Sequence, residues 1–579
     1  MIRLGKLSLF YCDKCDLPLL GKRCSCGNEA RQVKITPPGD ILPAFPSDIS
    51  QIKKVIKKQF GDAILPKIVI LNPLPDVDRM EEVIINGRVA GAIRYNIFKK
   101  EYTFLPRPWY ANLLNIKKGY VVADEGAVPS ILKSSNLMAP GVKEVADGIK
   151  KGDEVIVFDG KKVIATGRAY MDGEEMVETR KGMAVKIRWR GMEKHKIVDE
   201  KDWDDVVEAN KHFIYAKVRK AKKFIKKILN EKKLPYVVSF SGGKDSLATL
   251  FLLLDSGYKP PLFFINTGLE FDETINNVHE VAKKFNLDLI EVNCGDAFWK
   301  ALPFFGPPAR DFRWCCKTCK LGPATLFIKN NFPKGIISFI GQRRYESEQR
   351  AKKGNVWINP WVPGQIGVSP IQQWTALHVW IYLFLKSEEY NVKWNKLYEQ
   401  GFHRIGCWLC PASDLAEFYL KKHKDWERFE KELKKYEREH NLDKKWMEYA
   451  LWRWRKKPPW AKDFEEKGKE RKMPFDFERV ANLMNCIGEV RLGKEIKVGD
   501  IRITKEGEIY AGERDKKLAK EIMKRAVFCV GCGICVGKCK FNAISLKKGK
   551  AWIDEKKCKH CMDCIGECPV VVFGRRDEY

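Results

Sequence analysis

The stretch "SFSGGKDSLATL", Ser239 to Leu250, decides the fold of the middle of this chain. It continues "LPYVVSF", an apolar run of strand length, and leads into the helical "LATLFLLLDSG". A strand that passes through a glycine turn into a helix aims backbone N–H groups, and the positive end of the helix, at an anion. Gly242 and Gly243 let the main chain approach oxygens closely, Lys244 brings a point charge, and Ser241 and Ser246 bring hydroxyls. The pattern GxxxxGK[ST] is absent, so this is not a P-loop.

Downstream stand "NTGLEFDET" (Asn266–Thr274), "GQRRYESEQR" (Gly341–Arg350), "SPIQQWTALHVWIYL" (Ser369–Leu383) and "LYEQGFHRIGCWLCP" (Leu397–Pro411). With the glycine loop these segments resemble, in order, the sulfonucleotide (APS/PAPS) reductases of the PP-loop superfamily, over about Pro235 to Ala412. The resemblance implies a parallel-sheet, adenine-nucleotide α-hydrolase-like α/β core that takes ATP, APS or PAPS. By it, Ser241, Gly242, Gly243, Lys244, Asp245 and Ser246 hold phosphates, Thr267 and Glu270 belong to the nucleotide site, and Arg343, Arg344 and Arg350 approach the anionic group. Guanidinium forks suit phosphate or sulfate, and Asp245 or Glu270 would assist through Mg2+.

The cysteines of this unit are Cys315, Cys316 and Cys319 in "WCCKTCK", then Cys407 and Cys410 in "GCWLCP". APS-reducing members of the family hold a [4Fe–4S] cluster with a CC pair and a distant CxxC. That implies Cys315, Cys316, Cys407 and Cys410, with Cys319 left over; a second reading faces Cys316 and Cys319 with Cys407 and Cys410, and zinc is the alternative metal. Cys316 and Cys319 join Lys244, Asp245, Arg343 and Arg350 as candidate catalytic residues. The chain departs from the reductases in lacking their ECG-type tail with its catalytic cysteine, and Cys486 in "LMNCIGE" reads as a buried apolar thiol.

Both ends carry further cysteines. "CDKCDLPLLGKRCSCG" places Cys12, Cys15, Cys24 and Cys26 as two close pairs, the donor set of a structural zinc ribbon. At the other end, "CVGCGICVGKCK" and "CKHCMDCIGECP" repeat the C-x2-C-x2-C-x3-C spacing of bacterial ferredoxins. The likeness implies one [4Fe–4S] cluster on Cys529, Cys532, Cys535 and Cys568 and a second on Cys558, Cys561, Cys564 and Cys539, with two zinc sites as the alternative. Lys540 stands where the first run would repeat the proline that Pro569 supplies in the second. Paired cubanes relay single electrons, so an electron is wanted elsewhere on the chain, and an external donor is implied.

From Lys118 onward, short period-two runs around Val155, Val157 and Val163 with glycine turns indicate a small β-barrel. Gly119, "DEGAV" around Gly126, "APGV" around Gly141, "KGDEV" around Gly152 and "ATGRA" around Gly167 resemble the RNA-binding PUA domain. The formal net charge of +31 on 579 residues independently calls for a polyanionic partner. Without a run of 18 apolar residues or a signal peptide, a membrane is the weaker choice, and a cytoplasmic setting with RNA as partner is expected. Nineteen cysteines in a reducing compartment favour metal ligation over disulfides.

The expected architecture is therefore α/β and multidomain: a zinc ribbon (1–40), a small α/β region with a basic helix over Ile49–Phe60 (41–116), a PUA-like barrel (117–191), a basic linker helix (192–234), the PP-loop domain (235–412), a helical Trp-rich subdomain (413–485) and a ferredoxin-like α+β tail (486–579). The linker helix is expected to bury Phe213, Val218, Ala221, Ile225 and Ile228, and its cations are candidates for phosphate contact. Trp426, Trp446, Trp452, Trp454 and Trp460 either pack this subdomain or stack on bases. Together these features suggest ATP-dependent adenylylation and sulfur transfer to a tRNA or rRNA base, with APS/PAPS reduction to sulfite as the alternative.

Overall fold

A six-stranded sheet sits at the centre of the computed structural model, which describes residues 7–576 except positions 38, 180, 194 and 465–474. Its strands are β1 (Tyr236–Ser239), β2 (Leu262–Asn266), β3 (Leu289–Asn293), β4 (Ile336–Ile340), β5 (Val356–Ile358) and β6 (Gln365–Val368), in the order β3-β2-β1-β4-β6-β5. All neighbours are parallel except the edge pair β6–β5. The chain order reverses at β1, and crevices at the carboxyl ends of such strands are where doubly wound sheets bind ligands.

Helix α1 (Trp203–Lys232) is no free linker. Asp202 caps it by accepting from the Asp204 and Asp205 N–H groups, and the chain leaves it at Lys233 in a left-handed conformation ahead of Leu234–Pro235. It buries Val206, Val207, Ile214, Val218, Ala221, Ile225 and Ile228 against α2 (Lys244–Asp255) and, further along the chain, the helix Ala376–Tyr390. Phe213, expected on that face, is only half-buried and instead covers Gly21 of the amino-terminal hairpin. Arg219, Lys220, Lys223, Lys226 and Lys227 stay exposed.

The basic helix expected over Ile49–Phe60 spans Pro46–Gln59 and lies in a region built on a five-stranded antiparallel sheet. That region is riveted to the catalytic unit by buried charges. Asp78 accepts from the Leu415 and Ala416 N–H groups and pairs with Arg453, both side chains fully buried. Arg79 donates to Asp48, Glu81 and the Gly401 carbonyl, and His403 faces the same two carboxylates. Next along the chain, a six-stranded, barrel-like sheet over residues 120–190 buries Val121, Val155, Val157, Val163 and Val185.

Residues 413–464 fold as short helices whose aromatic side chains join a core with the catalytic unit; Trp446 and Trp452 are 1% and 2% exposed, so packing explains them. The remainder of the expected Trp-rich segment includes 465–474, which lie outside the described residues. Helix Phe477–Met484, placed by sequence in that subdomain, packs instead in the core of the tail with the helix Glu513–Phe528. No described helix is long and apolar enough to cross a membrane.

Candidate active site

The loops leaving β1, β2, β3 and β4 converge at one edge of the sheet, and each brings a residue singled out by sequence. After β1, Gly242 adopts φ +70°, which admits glycine readily, and a Cβ there would meet Thr274 at 3.0 Å. Ser246 Oγ donates to the Gly243 carbonyl at 2.8 Å and accepts from the Ser241 N–H at 3.3 Å, which closes the loop onto the first turn of α2. The Lys244 N–H donates to Tyr398 Oη at 2.9 Å. Gly341, leaving β4, lies so close that a Cβ would stand 2.4 Å from the Asp245 carbonyl.

Side chains here form a buried charge relay. Lys244 Nζ lies 3.0 Å from Asp245, Arg343 Nε donates to Asp245 at 2.6 Å, and Arg343 Nη1 reaches Asp40 at 2.5 Å. Asp40, from the turn "PPGD", also accepts the Ala376 N–H at 2.7 Å, at the start of the helix Ala376–Tyr390. Burial works against the Asp245 carboxylate, but Arg343 and then Lys244 outweigh it and hold it below the usual carboxylate range. Burial likewise opposes the charge on Lys244, and Asp245 keeps its pKa above the ordinary value. Arg343 thus answers two carboxylates before any ligand arrives. Arg350 pairs with Glu346, and Arg344 donates to Gln373 at 3.2 Å.

Thr267 and Glu270, expected with the nucleotide, lie under the cysteines. Glu270 accepts from the Thr267 N–H and hydroxyl at 2.9 Å each, and the Cys407 thiol stands 3.9 Å from it. Cys316 and burial, then Cys319 and Cys407, hold the Cys315 thiol well above its ordinary range, and burial first, with Glu270, Cys410 and Cys316, does the same for Cys407. The Cys315 thiol, ahead of Lys320, Arg313 and Arg404, pulls the Cys316 pKa down to about 6 against the effect of burial. Cys319 is apart, 1% exposed, with its sulfur 3.3 Å from Thr318 Oγ1 and its carbonyl accepting the Cys294 thiol at 2.9 Å. Beside Cys407 lies a narrow pocket walled by Phe271, Arg404, Trp408, His423 and Trp426, with free space of about 20 Å3, room for about one water molecule.

Two further cavities lie in the tail. One of about 330 Å3 is ringed by Cys529, Cys532, Cys535 and Cys568, and one of about 320 Å3 by Cys539, Cys558, Cys561 and Cys564. Each ring takes three cysteines from one run and one from the other. Cys486, read by sequence as an apolar thiol, is buried as expected but lines the second cavity. The tail docks through the short helix Ile534–Lys538 onto Gly322–Asn331, the helix that follows Cys319. A Cβ on Gly322 would lie 2.2 Å from the Cys532 carbonyl, and Lys329 Nζ donates to the Val536 and Cys539 carbonyls at 2.6 and 2.8 Å. Cys568 joins the same apolar cluster as Trp314 and Cys319.

At the amino terminus the sulfurs of Cys12, Cys15, Cys24 and Cys26 lie within 4.8 Å of one another, with Cys12–Cys26 and Cys15–Cys24 each at 3.7 Å. A tetrahedral ion with metal–sulfur bonds of about 2.3 Å needs ligand sulfurs about 3.8 Å apart, so this donor set suits zinc. Sequence reading missed Asp40, Tyr398 as a partner of the glycine loop, and Arg404, whose charge is sustained by Cys410 and Glu346 against burial. Of these, only Tyr398 and Arg404 lay in a segment that had drawn notice.

Residues 235–413 match the phosphoadenosine phosphosulfate reductase domain model and residues 119–189 match the PUA domain model. Two uncharacterized proteins of Methanocaldococcus jannaschii are similar over most of the chain: MJ0066 is 38% identical over 473 residues, 78% of this chain and 98% of that protein. MJ0973 is 30% identical over 430 residues, 73% of this chain and 98% of that protein. An adenosine 5'-phosphosulfate reductase of Salinibacter ruber is 28% identical over 183 residues, 31% of this chain and 68% of the reductase.

Proposed function

This chain belongs to the family of the Methanocaldococcus jannaschii protein MJ0066, and from that premise we propose that it is a PP-loop, iron–sulfur enzyme that thiolates a tRNA or rRNA base. Its PAPS reductase domain is joined to a PUA domain in one chain, which supports a nucleotide and an RNA as co-substrates. The base carbonyl oxygen attacks the α-phosphorus of ATP and pyrophosphate leaves. Sulfur at the sulfide level then attacks the same carbon, and AMP departs with the oxygen. Sulfur arriving as sulfane needs two electrons to reach that level, which gives the tail its task.

The residues have distinct work in this reading. Glycine-loop N–H groups and Lys244 bind phosphate oxygens, while Asp245 fixes the lysine and keeps it charged and Arg343 holds Asp245 in place. Phe271, Trp408 and Trp426 beside Cys407 offer aromatic faces to a planar base, and would have to part to admit one. The tail rings would hold two [4Fe–4S] clusters and Cys315, Cys316, Cys407 and Cys410 a third, with the Cys319 sulfur set against Thr318 Oγ1; such clusters supply single electrons at low potential. Zinc on the amino-terminal set would be structural. Mg2+ would bind through the phosphates, since Asp245 is paired with Lys244 and Arg343 and Glu270 is engaged with Thr267.

The observation that carries the choice is the state of the thiols. Every exposed thiol, Cys26, Cys316 and Cys561, belongs to a four-cysteine group, and the three cysteines outside these groups are Cys294, Cys319 and Cys486, the last two 1% exposed and Cys294 donating to a carbonyl. A free nucleophile for the sulfur of a sulfonucleotide is therefore wanting among the described residues. A second reading, APS or PAPS reduction to sulfite, draws on the similarity to the Salinibacter ruber reductase. Bulk RNA nucleosides from a deletion strain, analysed by mass spectrometry, should lack one thiolated base, and purified enzyme should make AMP and pyrophosphate only when RNA is added. Sulfite release from APS or PAPS without RNA would replace the proposal by the second reading.

A further inference from the structure

Arg525 lies in the middle of the tail, on the helix Glu513–Phe528, and is 1% exposed. Its Nη1 donates to Cys564 Sγ at 3.2 Å, in the ring of the second cavity, while the same side chain lines the first cavity beside Cys535 and Cys568. Nε and Nη2 are buried with no hydrogen-bond partner. A guanidinium does not give up its proton, and a buried cation without an anion is costly. An anionic group within the cavities would answer it at Nε and Nη2 as well as at the Cys564 contact.

We propose that Arg525 bridges two iron–sulfur clusters, donating through Nη1 to the sulfurs of the second and through Nε and Nη2 to those of the first, and that it raises their reduction potentials. The inference rests on the cluster reading of the tail given above. A reduced cluster carries one more negative charge than an oxidised one, so a fixed cation in a low-dielectric interior favours the reduced form. Arg525 touches no substrate; it is a positioning and potential-setting residue. Its fork geometry matters beyond its charge, which lysine would keep.

The test uses the full chain prepared without oxygen, as wild type, R525K and R525M. Iron and sulfide are measured first, and wild type without iron refutes the cluster reading itself. With iron present, redox titrations followed by electron paramagnetic resonance should show that R525M shifts the reduced-to-oxidised ratio of at least one tail cluster tenfold or more at fixed potential, about 59 mV for a one-electron couple, with R525K between. Wild-type iron content with unmoved midpoints in R525M overturns the proposal. Should R525M lose its iron, wild type carrying guanidinium-15N arginine decides: a 15N hyperfine coupling to a reduced cluster supports the bridge, and its absence overturns it.

Discussion

Replacing Gly322 by alanine tests whether the tail must sit where it does. The new methyl would stand 2.2 Å from the carbonyl oxygen of Cys532, more than an ångström short of ordinary contact at 3.4 Å, and also 3.1 Å from Cys532 Cβ. Neither atom is the end of a flexible side chain, so the Cys532 segment of the first ring must move away from the helix Gly322–Asn331. Overpacking of this kind costs about 1–3 kcal/mol, and the helix preference of alanine over glycine returns at most about 1 kcal/mol. A net cost of about 1–2 kcal/mol raises the opening equilibrium of the tail roughly fivefold to thirtyfold. Amide hydrogen exchange should therefore quicken in the helix Ile534–Lys538 and around Lys329 but not in β1–β4. Electrons supplied to the tail should reach the central cysteines more slowly. Gly566→Ala is the control within the same unit, because its Cβ meets nothing within 4 Å. If G322A exchanges and transfers electrons as wild type does, the contact between ring and catalytic helix has no role.

Three other outcomes follow from the geometry. Asp40→Asn removes one of the two anions on Arg343 and weakens the acceptor of the Ala376 N–H; we expect tighter ATP binding by calorimetry together with a stability loss of about 1–3 kcal/mol, and no change in either would remove Asp40 from the site. In His403, burial and Arg79 oppose protonation, but Glu81 and Asp48 raise its pKa to about 9 from an ordinary 6.5, so its contribution to stability is complete below pH 6.5 and is lost as pH rises through 9. Melting temperatures should fall over that window in wild type and less in H403Q. Burial opposes the ionised Asp48 too, yet His403 and Arg79 bring its pKa to about 2, so its contribution is present above pH 3.8 and is lost as pH falls through 2. Cys24→Ser should remove one zinc per chain by metal analysis and increase proteolysis within residues 9–33, while iron content stays at the wild-type level.

Much of the site was readable because its chemistry is local in sequence. Glycines and a lysine between a strand and a helix, or cysteines at fixed intervals, announce themselves within a dozen residues, and the cysteines of the two tail runs line two pockets, each with one residue from the other run. What escaped reading depends on residues far apart in the chain. Asp40 meets Arg343 across 303 positions and Lys244 meets Tyr398 across 154. Nothing in "PPGD" distinguishes a turn that ends in the active site from one that ends in solvent. Arg525 stands in a helix of lysines, glutamates and apolar residues, where a cation is usually exposed, and only its burial among cysteines marks it. The helix Phe477–Met484 was assigned to the wrong neighbour because amphipathic periodicity shows that a face is covered without showing by what.

The three acids Asp40, Asp48 and Asp78 have a practical bearing. Each is donated by the first hundred residues to a cation or helix start beyond Pro235. A catalytic fragment cut at the boundaries of its matched domain, 235–413, would strip His403 of both its carboxylates and leave Arg343 with Asp245 alone, and kinetic comparisons made on such a fragment would report the injury of excision in place of the enzyme's chemistry.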